Sequence, residues 1–179
     1  GTGAGAALGD LLAGLNAATS PAAYTAVATG EAWGGSEAAV GLIYRADRVT
    51  AVGAPAILDT GAFAQTTAEP VHAAPMAQTF EDTAAGERLT VVVNQWHDRD
   101  TCPADGPDAD QDDGQGCWSA SRAAAASDLE AWLATDPTQS GDPDMLVLGE
   151  LNAFRLEAPI QNLVGGGYAD LLAQFGGNA

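Results

Sequence analysis

Lysine is missing from this chain of 179 residues, and basic residues of any kind are scarce. Six arginines (Arg45, Arg48, Arg88, Arg99, Arg122 and Arg155) stand against 24 Asp and Glu, for a formal net charge of −18. A phosphate backbone is held by clustered cations that displace its counterions, so the composition argues against a partner bound mainly through a basic patch. It argues equally against an anionic membrane surface. Long apolar runs are lacking too. Val91-Val92-Val93 is typical of those present, far short of the roughly 20 residues that a membrane-spanning helix needs. The first residues, Gly1 to Ala7, are small and uncharged and do not read as a signal peptide. The chain therefore reads as a mature form or as a piece of something longer. Hydrophobic residues make up 46% of it, enough for a real core in one domain and too many for wholesale disorder.

The acidic surplus has two readings. One is a strongly solvated surface, on which carboxylates hold water and counterions; the other is a specific cation site. Cysteine is limited to Cys102 and Cys117, which bracket a loop of turn formers including Pro103, Gly106, Pro107, Gly114 and Gly116. A loop this polar gains little from packing and is expensive to order. A disulfide would hold it, contributing about 3 kcal/mol at this loop length. Zinc would need more ligands, and there is no Cys-x-x-Cys pair. A disulfide in turn implies an oxidising compartment, so the expected location is extracellular or at the cell surface.

Leu8, Leu11, Leu12 and Leu15 recur at helical spacing, which predicts a helix from about Ala4 to Ala18, ended by Ser20-Pro21. Tyr24–Ala28 alternates weakly, and Ala39–Tyr44 is a better strand. Arg48–Val52 follows a turn at Ala46-Asp47, which predicts a hairpin. Residues 53–74 are mixed and read as a long surface connection. Met76–Phe80 and Leu89–Asn94 are two more strands joined at Ala84-Ala85-Gly86, the second an apolar run of the buried kind. A long helix is expected from Ser119 to Ala134 with Leu129, Trp132 and Leu133 inward, stopped by Asp136-Pro137. Met145–Leu148 reads as another buried strand, followed by a short helix near Pro159–Val164 and a Leu171-Leu172 segment. There is no internal repeat and no linker. Alternating strands and helices make the class α/β.

Three segments could carry chemistry. In Leu148-Gly149-Glu150-Leu151-Asn152-Ala153-Phe154, Glu150 and Asn152 leave the end of a strand together, where α/β sheets collect functional groups. A carboxylate and an amide so placed could hold a hard cation and a phosphate oxygen, or could be a solvated strand end and a turn. In Val93-Asn94-Gln95-Trp96-His97-Asp98-Arg99, alternation puts Asn94 and Trp96 on one face and Gln95 and His97 on the other. With His72, His97 is one of two histidines, and it reads either as surface structure or as a catalyst. In the cystine loop, Asp108, Asp110, Asp112 and Asp113 precede Gly114 in a pattern related to a calcium loop. The glycine falls one place late for an EF-hand, and Ser119 stands where the bidentate Glu belongs. The alternative is a hydrated acidic loop pinned by its disulfide.

GLIY (41–44), PMAQTF (75–80), GERLTVVVN (86–94), DGQGCWSASRAAAA (113–126), WLATDP (132–137), GDPDMLVLGELNAF (141–154) and GGYADLLAQF (166–175) resemble, in order and spacing, the secreted bacterial nucleases of the endonuclease/exonuclease/phosphatase superfamily, the deoxyribonuclease I-like fold. The resemblance covers essentially the whole chain. It implies a four-layered α/β sandwich, two mixed sheets packed face to face with helices outside. The implied reaction is metal-dependent phosphodiester hydrolysis in DNA or RNA, with Mg²⁺ or Mn²⁺ and a histidine cluster. It also implies that residues 1–179 are a single such domain lacking the family's first and last strands, and held by neighbouring polypeptide of a larger extracellular protein or by a partner chain.

The departures from the family pattern fall at its site. Gly-Asp-Leu-Asn-Ala-Tyr becomes a motif with Glu150 and Phe154; Asn-His-Phe-Lys-Ser-Lys becomes Asn94 to Arg99, with Gln95 in place of the catalytic histidine; the phosphate-facing arginine becomes Ala73. Only Asn152 matches outright. Glutamine exchanges no proton near neutral pH, a lost arginine removes a fixed cation, and Glu for Asp shifts a carboxylate outward by roughly 1.5 Å. The expected catalytic positions Asn152, Glu150 and Gln95 are thus vestigial, with Glu150 a weak metal ligand. Nucleic acid is a partner only if activity survives.

Overall fold

The computed structural model describes residues 4–19, 23–28, 40–65 and 71–176. Four helices, α1 (Ala4–Ala18), α2 (Ser119–Leu133), α3 (Ala158–Gly165) and α4 (Leu171–Phe175), accompany six strands. The strands are β1 (Tyr24–Ala26), β2 (Ile43–Arg45), β3 (Val49–Ile57), β4 (Met76–Asp82), β5 (Arg88–Gln95) and β6 (Met145–Glu150). Strands β3-β4-β5-β6 form a mixed sheet, antiparallel except for the parallel pair β5–β6, and β1 and β2 form a separate antiparallel pair.

The two faces of the larger sheet carry different cores. Ala77, Val92 and Trp96 on one face meet Ala125, Ala126, Leu129 and Leu133 of α2 and Leu163 of α3. Met76 and Phe80, with Val91 and Val93, meet Val27, Leu42 and Tyr44 of the small sheet on the other, where the Tyr44 and Phe80 rings lie 5.0 Å apart. Helix α1 packs on β1, with the Asn16 amide both donating to and accepting from the Tyr24 backbone at 2.9 Å. The layers therefore run helices, sheet, sheet, helix, the expected sandwich, with the smaller sheet purely antiparallel.

Helix α2 follows from its sequence. Its alanine run favours helix, and Arg122, Ala125, Ala126, Leu129 and Leu133 fall on one buried stripe. Its first turn has no cap of its own, since Trp118 stands at the N-cap with φ 60°. Asp108 of the cystine loop instead accepts the Ser121 N–H at 2.8 Å and the Ser121 hydroxyl, doing the work of an N-cap side chain from outside.

Three expectations are corrected. The hairpin across Ala46-Asp47 does not form. A turn is present, with the Arg48 N–H donating to the Arg45 carbonyl at 2.9 Å, but β2 pairs with β1 and β3 with β4. Leu42, Tyr44, Val49 and Ala51 all feed the core between the sheets, so the chain crosses from one sheet to the other. Residues 53–74 are not simply a surface connection. Strand β3 continues to Ile57 through a register shift between Val52 and Ala56. As an edge strand it tolerates Pro55, and Leu58, Phe63 and His72 are buried beyond it. Residues 66–70, like Ala39 and the Ser20-Pro21 stop, lie outside the described residues. Finally, β6 is only half-buried: among the described residues it is the edge of its sheet, with Met145 and Val147 against the core and Leu148, Gly149 and Glu150 exposed.

Candidate functional site at the ends of β5 and β6

The parallel register sets Gln95 opposite Glu150 at the carboxyl ends of β5 and β6. Around them the backbone closes a small cluster. The Trp96 N–H donates to the Glu150 carbonyl at 2.9 Å, and the Ala73 N–H donates to the Gln95 carbonyl at 3.1 Å. The Asn152 side-chain amide donates to the Trp96 carbonyl at 2.8 Å. Gln95, Glu150, Asn152 and Ala73 are therefore gathered in one place. Two backbone positions shape this rim. Gly149 has φ 124°, and a Cβ there would lie 2.0 Å from the Asn94 carbonyl oxygen, so only glycine lets β6 approach β5 so closely. Asn152 has φ 50°, a left-handed conformation that Asn tolerates.

Of the polar groups at the rim, Asn94 is structural. It is 2% exposed; its amide donates to the carbonyls of Val92 and Leu148, and its oxygen accepts from the Trp96 indole. Asn152 spends its donor on Trp96. Glu150 is exposed and Gln95 half-buried. A divalent cation of the Mg²⁺ kind is held through carboxylates in near-octahedral geometry. Among the described residues no three His, Cys, Asp or Glu side chains come together in a way that could hold a metal ion. The strand ends supply one carboxylate, Glu150, beside the amides of Gln95 and Asn152.

Behind the rim lies a buried layer that the sequence reading did not assign. His72 is 2% exposed and sits between the rings of Phe63 and Trp96. Its Nδ1 accepts the His97 N–H at 3.0 Å, so the proton belongs on Nε2, which donates to the Ser121 carbonyl at 3.2 Å. Burial pushes its pKa down to about 4, and the ring is neutral. His97 stacks on Trp118, with ring centroids 3.9 Å apart, and its Nδ1 donates to the Asp98 carbonyl at 2.9 Å. Arg122, fully buried, donates through Nη1 to the carbonyls of His97 and Asp98 at 3.4 and 3.3 Å. Its Nε and Nη2 find no partner among the described residues, and burial, followed by repulsion from Arg99, lowers its pKa. Arg99 pairs with the buried carboxylate of Glu157 and lies over the Phe154 ring at 4.6 Å. The sequence signal for this layer was weak: a histidine inside an apparent surface connection, and an arginine inside an alanine run.

Cys102 and Cys117 are bonded, as the loop composition led one to expect. The loop aspartates point to different tasks. Asp108 caps α2, Asp110 accepts the Asp112 N–H at 3.0 Å, and Asp113 accepts the Gln115 N–H at 2.9 Å. Among the described residues they form no group of three placed to hold a metal ion.

No protein-family model matches the chain, and no curated protein matches it by sequence. Among solved structures it is similar to the human Nocturnin catalytic domain, determined with a bound sulfate anion, at 19% identity and a TM-score of 0.51. The match covers 86% of this chain and 49% of that one, so the chain spans about half the length of its structural neighbour. The layered α/β sandwich thus has a deoxyribonuclease I-like fold, similar to that of the Nocturnin catalytic domain.

Proposed function

We propose that this chain is a nuclease-fold domain, of the secreted bacterial kind, that has lost hydrolytic chemistry and serves as a binding or structural module of a larger extracellular protein. The observation that carries the reading is the composition of the strand-end cluster. The fold gathers it, yet Gln95 and Ala73 put an amide and a methyl where the nuclease family that the sequence resembles carries an imidazole and a guanidinium. Each loss is worth about two to four orders of magnitude in rate, without simple additivity. The charge of −18 repels a nucleic acid instead of steering it.

A partner polypeptide is supported by the apolar surface beside the site. Phe154, Leu156, Leu172 and Phe175 are 70, 78, 82 and 81% exposed. The pair Arg155–Asp170, at 3.7 Å, draws their two segments together. The disulfide supports an oxidising compartment.

The second reading is an active extracellular nuclease using Mg²⁺ or Mn²⁺, its site completed by flanking or partner polypeptide. Glu150, exposed on β6, the edge strand of its sheet among the described residues, favours it as a carboxylate placed to join ligands from elsewhere. Plasmid degradation with Mg²⁺, Mn²⁺ or Ca²⁺, with an EDTA control, tests both. No cleavage is expected from the chain as it stands, and a Gln95→His/Glu150→Asp variant probes recovery. EDTA-sensitive cleavage that disappears in Glu150→Ala would overturn the proposal.

A further inference from the structure

We propose that the Cys102–Cys117 disulfide is a thiol-sensitive latch, which locks the loop between the cysteines onto the strand-end face and releases it on reduction while the sheets stay folded. The latch itself does not depend on the proposed function; only the claim that it reshapes a binding face does.

Apart from the disulfide, the loop is held by hydrogen bonds and not by an apolar core. Asp105, Gly106, Asp110, Gln111, Asp112, Asp113 and Gly114 are exposed, and no residue between the two cysteines belongs to either core cluster. Its five aspartates, Asp105, Asp108, Asp110, Asp112 and Asp113, repel one another.

Yet this loop fixes three surrounding elements. Asp108 caps α2 through Ser121. The Gln115 side-chain oxygen accepts the Ala158 N–H at 2.7 Å, at the first turn of α3. Trp118, next to Cys117, stacks on His97 and donates its indole N–H to the Thr101 carbonyl at 2.6 Å. Gly116 passes so close to the Arg99 guanidinium that a Cβ would stand 2.6 Å from Nη2. The residues after β5 are thus held by the loop on one side and by His72 and Arg122 on the other, and the hydrogen-bonded ladder of β4–β5–β6 does not involve the loop.

The two sulfurs differ in access. Cys102 is exposed, and Cys117 is 5% exposed. A dithiol reductant attacks as thiolate at the Cys102 sulfur; a new S–S bond forms there, and the Cys117 sulfur leaves as thiolate and is protonated. The reductant's second thiolate then closes on its first sulfur and expels Cys102, which takes up a proton. Two electrons pass from the dithiol, now a cyclic disulfide, to the cystine, now two thiols. With the loop ends free, like-charge repulsion extends it, and Asp108, Gln115 and Trp118 leave their partners.

Amide hydrogen exchange read by mass spectrometry on the oxidised chain, on the chain in dithiothreitol, and after reoxidation tests this. Reduction is expected to cut protection at least tenfold over residues 97–121 and 157–161, to leave 76–95 and 125–133 within twofold, and to reverse on reoxidation. A Cys102→Ser/Cys117→Ser variant should match the reduced chain without reductant. Should that variant fail to fold, the reductant titration of the native chain decides alone. Loss of protection across β4 and β5 together with the loop would overturn the proposal, because the bond would then be a staple for the whole domain. Unchanged exchange over residues 97–121 in the reduced chain would overturn it as well.

Discussion

Acidification should destabilise this protein through His72. The ring is held neutral, with its pKa lowered from 6.5 to about 4 by burial, whereas in the unfolded chain it protonates near 6.5. A group whose folded pKa is depressed keeps its full contribution above the unfolded value and loses it as pH falls toward the folded one. At pH 5 the unfolded state gains about 30-fold from its proton relative to the folded state, a loss of about 2 kcal/mol. Protonating Nδ1 in the folded state would break the bond from the His97 N–H. Asp82 and Asp136, whose pKa values are lowered by backbone N–H donors, also shed stability in acid, so the raw pH profile is not specific. The difference between the native chain and His72→Asn is specific, since the Asn oxygen still accepts from His97 while titrating nothing. Urea unfolding followed by circular dichroism should find the variant less stable at pH 7.5 by about 1–3 kcal/mol, for lost packing and the Ser121 bond. That gap should shrink by about 2 kcal/mol at pH 5, safely above the sequence pI of 4.1. A gap that stays constant from pH 7.5 to 5 would refute the reasoning.

Two substitutions test the frame of the site. Gly149→Ala sets a methyl against the Asn94 carbonyl at φ 124° and should cost more than about 2 kcal/mol in thermal or urea unfolding. Asp108→Ala removes the borrowed cap of α2 and should cost about 1 kcal/mol, with Asp108→Asn recovering most of it by the same measurement.

Much of the fold was legible because its period was clean. Leu8, Leu12 and Leu15 fix α1, the alanine-rich stripe through Leu129 and Leu133 fixes α2, and the alternation of Thr90, Val92, Asn94 and Trp96 gives the buried face of β5. The gathering of Gln95, Glu150 and Asn152 followed from two apolar strands that end together. What was not legible depends on pairing between distant segments. A turn at Arg45–Arg48 fits a hairpin equally well as a crossing between sheets, and only the shared core beneath Tyr44 and Val49 decides it. Val147 and Leu148 look buried by composition, yet burial of a strand depends on neighbours that β6 has on one side alone. His72 and Arg122 escaped because a polar residue carries no sign of the cavity that closes over it.

The bare flank of β6 also governs how molecules of this protein meet one another. Among the described residues no strand pairs with the outer side of β6, where Leu148 is exposed, and such an edge is a template on which another extended segment can nucleate. At neutral pH the charge of −18 keeps copies apart before their backbones come within reach. Colloidal behaviour therefore rests on repulsion more than on shape, and concentrated salt or mild acid removes the restraint that keeps these margins separate.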